Sequence, residues 1–224
     1  MTTIIGIQGD GFALIAADMQ VTAFDGSGFG YQKSVLSSGQ PKIATNGKYI
    51  LGAAGDVRAI NILHHAFQPP TPPVGLKGKK LDAFITAKFI PSLRSCFDVH
   101  GYSPIESIRD GKDNNSAQQG SAILVVVNGV IYVIDEDYSW ASDSSMVYAV
   151  GTGAPYALGA LLALSNSKSP NQVQARSMAL KAMGIASKMD PYSGPPYQTL
   201  VQVNKDGTVA VQKKPTPATR KTKK

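Results

Sequence analysis

The sequence is poor in the residues that most often hold metals, bridge chains or anchor membranes. It has one cysteine, Cys96, in 224 residues. No internal disulfide can form, which fits a reducing, cytoplasmic setting. The stretch LRSCFD reads as a helix with Cys96 on its apolar side, so a buried, inert thiol is expected. The three histidines, His64, His65 and His100, have no metal-ligand spacing. His64 and His65 fall late in an expected helix and suit its C-terminal end. No metal or cofactor is expected. No apolar run is as long as a membrane span, and the longest, residues 154–164, is flanked by Gly and Ser. The N-terminus lacks the basic region and cleavage site of a signal peptide. The last twelve residues, KKPTPATRKTKK, contain no acid.

That last absence locates the charge. The chain carries +7, but six of its 22 basic residues lie in 213–224, leaving 16 against 15 acids in the first 212. A nucleic-acid-binding core should carry its basicity on a folded face, so nucleic acid is an unlikely partner. The tail reads as a solvated, flexible end. Hydrophobic residues make up 43%, enough for residues 1–212 to bury one sizeable core as a single domain.

Several elements can be placed from pattern. Residues 3–8 and 12–17 are apolar runs joined by GDG, a hairpin signal. FALIAA is apolar throughout, as in a strand covered on both faces. Residues 24–41 are rich in Gly and Ser and read as a long loop. KYILGAAG is a strand, and DVRAINILHHAF a helix with Asp56 as its N-cap. PPTPPVGLKGKK is a surface loop. LDAFITAKFIPSLRSCF is a helix bent or interrupted at Pro91. Residues 98–120 read as a polar loop. SAILVVVNGVIYVID is a hairpin turning at Asn128-Gly129. YAVG is a short strand. TGAPYALGALLALS and SPNQVQARSMALKAMGIASKM are helices, the second starting at Ser169-Pro170. QTLVQVNKDGTVAVQKK is a closing hairpin turning at Asp206-Gly207. Doubly covered strands and two helix pairs imply two stacked sheets between two helical layers, an α+β architecture.

The N-terminus, MTTIIGIQGDGFALIAADMQVT, enters this core almost at once. Most domains leave such ends loose. A hydroxyl becomes a useful nucleophile only when a base takes its proton. An N-terminal Thr carries its own base, an α-amine that titrates near ~8. Thr2 is a small second residue of the type that permits removal of Met1. The expectation is that Thr2 becomes the first residue.

This stretch resembles the first hairpin of proteasome β-type subunits and their bacterial relatives, the N-terminal-nucleophile threonine peptidases. Asp18 lies sixteen residues after Thr2, as the acid does in that family, and Thr22 lies four beyond it. PKIATNGKYILGAAGD resembles the family's lysine before a strand ending in Ala-Gly, with Lys42 as the lysine and Gly55 as the glycine. This requires an insertion of about eight residues in the preceding Gly/Ser loop. Lys33, nearly at the ungapped spacing, is the rival. YAVGTGAPYALGALL resembles the family's Gly-Ser-Gly turn, with Thr152 in place of Ser. ASKMDPYSGP matches its Asp-x-x-Ser-Gly, giving Asp190, Ser193 and Gly194.

The resemblance implies a four-layer αββα sandwich, the N-terminal-nucleophile hydrolase fold. It also implies a mechanism. Thr2 Oγ would attack a peptide carbonyl and the Thr2 amine would take its proton. Lys42 would lower the amine's pKa, and Asp18 would hold Lys42. Asp190 and Ser193 would support the site by hydrogen bonds. The Gly55 N–H would face the oxyanion. Thr152 and Gly194 would stand behind these groups. Val21, Thr22 and Ala53 would bind substrate, with Thr22 on the strand that receives it. The substrate would be unfolded polypeptide, with no membrane involved. The family also implies a homo-oligomeric ring, with an ATPase or cap ring as possible partner. Each motif has a plain structural alternative: Asp18 as a strand-end turn residue, Lys42 as a solvated lysine, Asp190-Pro191 as a helix terminator, Thr152 as a helix cap. Two functional alternatives are a non-catalytic ring or scaffold protein and an N-terminal-nucleophile amidase acting on small substrates.

Overall fold

The computed structural model describes residues 2–24, 31–37, 39–102, 120–165, 169–203 and 209–211. Met1, most of the expected polar loop 98–120, the Asp206-Gly207 turn and the tail 213–224 lie outside them.

The first hairpin pairs β1 (Thr3–Gly9) with β2 (Phe12–Asp18), Ile4 facing Ala17 and Gly9 facing Phe12. Strand β3 (Gln20–Phe24) follows at once and pairs with β4 (Tyr31–Val35) as a separate two-stranded ribbon. The expected loop 24–41 is thus in part a strand. YQKSV carries no apolar alternation, and the strand is defined by its pairing with β3. Strands β5 (Ile43–Asn46) and β6 (Tyr49–Gly55) lead into helix α1 (Val57–His65). Asp56 caps α1, its carboxylate accepting from the Arg58 amide at 2.8 Å. Both histidines occupy the last turn of α1.

The next helix passes Pro91 without breaking. A proline removes one helical hydrogen bond and crowds the carbonyl four residues back. The chain answers with a π-helical turn, Ile85–Phe89, between α2 (Lys79–Phe84) and α3 (Ile90–Val99). The Ile90 N–H reaches back five residues to the Ile85 carbonyl. Cys96 is half-buried rather than buried. Strands β7 (Ser121–Val127) and β8 (Val130–Ile134) turn at Asn128-Gly129, both with positive φ as the sequence required. Then come β9 (Trp140–Ala141), β10 (Val147–Gly151), α4 (Ala154–Leu164) and α5 (Gln172–Met189). The start of α5 is not Ser169-Pro170. Asn171 caps it, in a reciprocal box with Gln174. Strands β11 (Tyr197–Val203) and β12 (Val209–Val211) close the chain as an antiparallel pair.

Two five-stranded sheets result, ordered β10-β1-β2-β11-β12 and β5-β6-β7-β8-β9. Three cores show how they stack. Ile4, Ala13, Ile15 and Ala17 of the first sheet meet Ile43, Ile50, Leu124 and Val126 of the second. The other face of the first sheet, including Ile5, Ile7, Leu14 and Ala16, packs on the alanines of α4 and α5. The other face of the second, including Leu51, Val125 and Val127, packs on α1, α2 and α3. The order is helix, sheet, sheet, helix, the αββα sandwich of the sequence reading. All seven residues of β2 are buried, because the strand is covered on both sides. Each fully buried Ile or Leu contributes about 1.5–3 kcal/mol. Among the described residues no helix is long and apolar enough to cross a membrane.

Candidate active site

The strand pairing brings five segments to one end of the sandwich. They are the start of β1, the end of β2, the approach to β5, the β10–α4 turn and the loop after α5. Each carries a residue singled out in the sequence.

Asp18 is fully buried at the end of β2. Its Oδ1 lies 2.7 Å from Lys42 Nζ and accepts the Thr3 N–H at 2.8 Å. Its Oδ2 accepts the Gln20 and Gly194 amides at 3.1 and 3.2 Å. Lys42, only 1% exposed, also donates to the Gln20 carbonyl. Of the two candidate lysines, Lys42 forms the ion pair, while Lys33 is exposed on β4 opposite Thr22. Burial pushes the Lys42 ammonium below the ordinary lysine range, and the Asp18 carboxylate opposes that shift. Burial likewise pushes the Asp18 carboxyl up, against the pull of Lys42 and of the amides that point at it.

Asp190 ends α5 as its C-cap, with Pro191 next to bar continuation. It does more than terminate the helix. Its Oδ2 accepts from Ser193 Oγ at 2.6 Å and from Thr152 Oγ1 at 2.8 Å, and its Oδ1 from the Tyr192 amide at 3.1 Å. Thr152 is not the cap of α4, a position held by Gly153. Ser193 Oγ also lies 2.6 Å from Thr3 Oγ1. Thr3 thereby joins two clusters, its amide on Asp18 and its hydroxyl on Ser193.

Thr2 is buried, 3% exposed, at the mouth of β1. Gly151, opposite Thr3 in the register, has φ +96°, and a side chain there would drive into the Thr2 carbonyl and crowd Ala54. The Gly151-Thr152-Gly153 turn therefore lets the first strand approach β6 closely. Gly55, at the exposed end of β6, has φ +142°. That conformation is essentially restricted to glycine, and a Cβ there would stand 2.5 Å from the Gly120 carbonyl.

The three expected substrate contacts divide. Val21 is half-buried and Thr22 buried on β3, with Thr22 Oγ1 accepting from Gln20 Nε2 at 3.1 Å. Ala53 is fully enclosed in the core beneath α1, with Ala59 and Ile60. Its side chain belongs to the packing and offers no surface to a ligand.

Sequence reasoning missed Thr3 and Gln20. Both are polar residues at strand ends with no distinguishing motif, and their burial emerges only in the fold. Gln20 ties β3 to the Asp190 loop, its Nε2 donating to the Pro191 carbonyl at 3.1 Å. Among the described residues no cluster of His, Cys, Asp and Glu could hold a metal.

No family model and no curated protein matches the sequence. Solved structures do. BPH from Thiobacillus denitrificans is 22% identical over 91% of this chain and 98% of its own, with a TM-score of 0.66. HslV from Trypanosoma brucei is 19% identical over 89% and 98%, with a TM-score of 0.56. A Gly-1 mutant of Anbu from Hyphomicrobium sp. strain MC1 is 13% identical over 97% and 88%, with a TM-score of 0.64. The chain thus shares the four-layer αββα fold of these structures.

Proposed function

We propose that the protein is a threonine endopeptidase that uses Thr2 as its nucleophile once Met1 has been removed. One observation carries this reading. A buried ion pair, Lys42 with Asp18, shares Asp18 Oδ1 with the amide of Thr3, so a lysine ammonium is held beside the Thr2–Thr3 peptide, the first of the chain once Met1 is gone.

The chemistry follows from that placement. Thr2 Oγ attacks the carbonyl carbon of a substrate peptide. The neutral Thr2 amine takes the hydroxyl proton, directly or through water, and returns it to the leaving amine. The charge on Lys42 favours the neutral amine over its ammonium form. The Gly55 N–H donates to the oxyanion, an interaction whose loss costs roughly 2.7–4 kcal/mol in other hydrolases. Water then attacks the Thr2 ester carbonyl, the amine takes the water's proton, and it passes that proton to Thr2 Oγ as the ester C–O bond breaks, releasing the carboxylic acid product and restoring the hydroxyl and the neutral amine. Asp190, Ser193 and Thr152 hold the Thr2–Thr3 segment in place. Val21 and Thr22, on β3, offer an edge along which an extended chain can add as a strand, which gives loose sequence preference. The fold shared with BPH, HslV and Anbu supports assembly into a homo-oligomeric ring that confines substrate, with a cap or ATPase admitting it.

The BPH structure has also been determined in complex with epoxomicin, which makes that compound a direct probe. The expected result is a single adduct on Thr2 and peptide cleavage that disappears in Thr2→Ala with the fold intact. Cleavage of small amides but not peptides would redirect the reading to an amidase. A ring that cleaves neither would redirect it to a scaffold.

A further inference from the structure

The Gly55 amide can serve an oxyanion only if the end of β6 is held still, and a second set of residues surrounds that point. Ser121 opens β7 directly opposite Gly55 in the register and is 1% exposed. Its Oγ accepts the Asp56 N–H at 3.1 Å, so it holds the Gly55–Asp56 peptide. The same oxygen sits where a Gly55 side chain would begin, at 2.6 Å from that position. On its other side Ser121 Oγ lies 3.0 Å from the Tyr102 hydroxyl. Tyr102 is itself fixed: its amide donates to the Phe97 carbonyl at 2.8 Å, and its ring stands edge-on to Phe97 with centroids 5.0 Å apart. None of these groups belongs to the Thr2, Asp18, Lys42 and Asp190 clusters.

We infer that Ser121 and Tyr102 are positioning residues for the oxyanion donor, acting through the Gly55–Asp56 peptide. The inference rests on the peptidase reading. Gly55 has no side chain to lock its torsions, and glycine is the residue with most freedom to lose. From φ +142° the Gly55 peptides could swing far from the direction the reaction needs. A donor contributes most when it is aimed beforehand and does not reorganise as charge develops. Ser121 supplies the lock from the neighbouring strand. Tyr102 occupies the hydroxyl's other side and ties the lock to the end of α3.

Two variants test this, in the processed, assembled protein. Ser121→Ala removes the hydroxyl that holds Asp56. Tyr102→Phe removes only the phenol oxygen and keeps the ring on Phe97. For Ser121→Ala, kcat on a peptide substrate should fall about tenfold, the equivalent of one positioning hydrogen bond, with KM nearly unchanged. Affinity for a peptide aldehyde, which forms a tetrahedral adduct with an oxyanion, should fall in parallel. Tyr102→Phe should show a smaller loss of the same kind. The double variant should lose no more than Ser121→Ala, because Tyr102 acts through Ser121. Unchanged kcat and aldehyde affinity in both variants, with the wild type active, would overturn the inference alone. So would a loss that appears in KM instead. A processed wild type that cleaves no peptide and binds no aldehyde would remove the peptidase reading beneath it.

Discussion

The two sheets are tied together at both ends of the sandwich, and the ties differ in kind. At the far end, Gln202 of β11 is fully buried. It accepts the Gly129 N–H at 2.8 Å and donates to the Lys48 carbonyl at 2.8 Å, both in turns of the opposite sheet. Gln8 of β1 accepts the Ile131 N–H of β8 at 2.9 Å. At the near end the tie is Asp18 of β2 with Lys42, just before β5. One end is joined by neutral amides, the other by two buried charges. Removing a carboxylate and an ammonium from water costs several kcal/mol per ion, and their attraction only partly repays it. The far end proves that this fold can join its sheets without that cost. The charged tie therefore calls for a reason other than stability, and the proposed reaction, which needs an ammonium beside a free amine, supplies one.

The charged tie is most sensitive to substitution at Lys42. Lys42→Met should abolish peptide cleavage. It should also destabilise the protein by about 3–5 kcal/mol in urea titration, because Asp18 is left as an unpaired buried carboxylate. Combining it with Asp18→Asn separates the two effects. The double variant should regain part of that stability, since the unpaired buried charge is gone while the Asn carbonyl oxygen can still accept backbone amides that Asp18 holds, and it should stay inactive. A double variant as unstable as the single one would show that the ion pair is structural. At the far end, Gln202→Leu strands the Gly129 N–H and the Lys48 carbonyl. It should cost about 1–3 kcal/mol for each group left without a partner, with kcat per folded molecule unchanged. The smallest effect belongs to Gln8→Met. The Ile131 N–H loses one partner at a half-buried site, so about 0.5–1.5 kcal/mol should be lost, readable as a modest fall in Tm with normal cleavage.

Much of this was legible in the sequence because it rests on short-range rules. Asn128-Gly129 demands its turn, Asp56 its helix, and the unbroken apolar run of β2 a strand covered twice. Asp18, Lys42, Asp190 and Ser193 stood out through the resemblance of their motifs to the proteasome β-type family, and the fold brings them to one end. What stayed hidden depends on partners distant in sequence. YQKSV becomes a strand only because β3 lies beside it. Pro91 permits an unbroken helix only through the π-helical turn before it. Asn171 outcompetes Ser169-Pro170 because its box with Gln174 satisfies two helix-end amides. The family resemblance implies a substrate contact at Ala53, but strand parity turns its side chain toward α1. Thr3, Gln20 and Ser121 look like ordinary strand polar residues until their buried partners are seen.

The proposed peptidase requires Thr2 to be the first residue of the active protein. Intact-mass measurement of a preparation with peptidase activity should give the mass of a chain that begins at Thr2. A preparation that retains Met1 and cleaves peptides undiminished would contradict it.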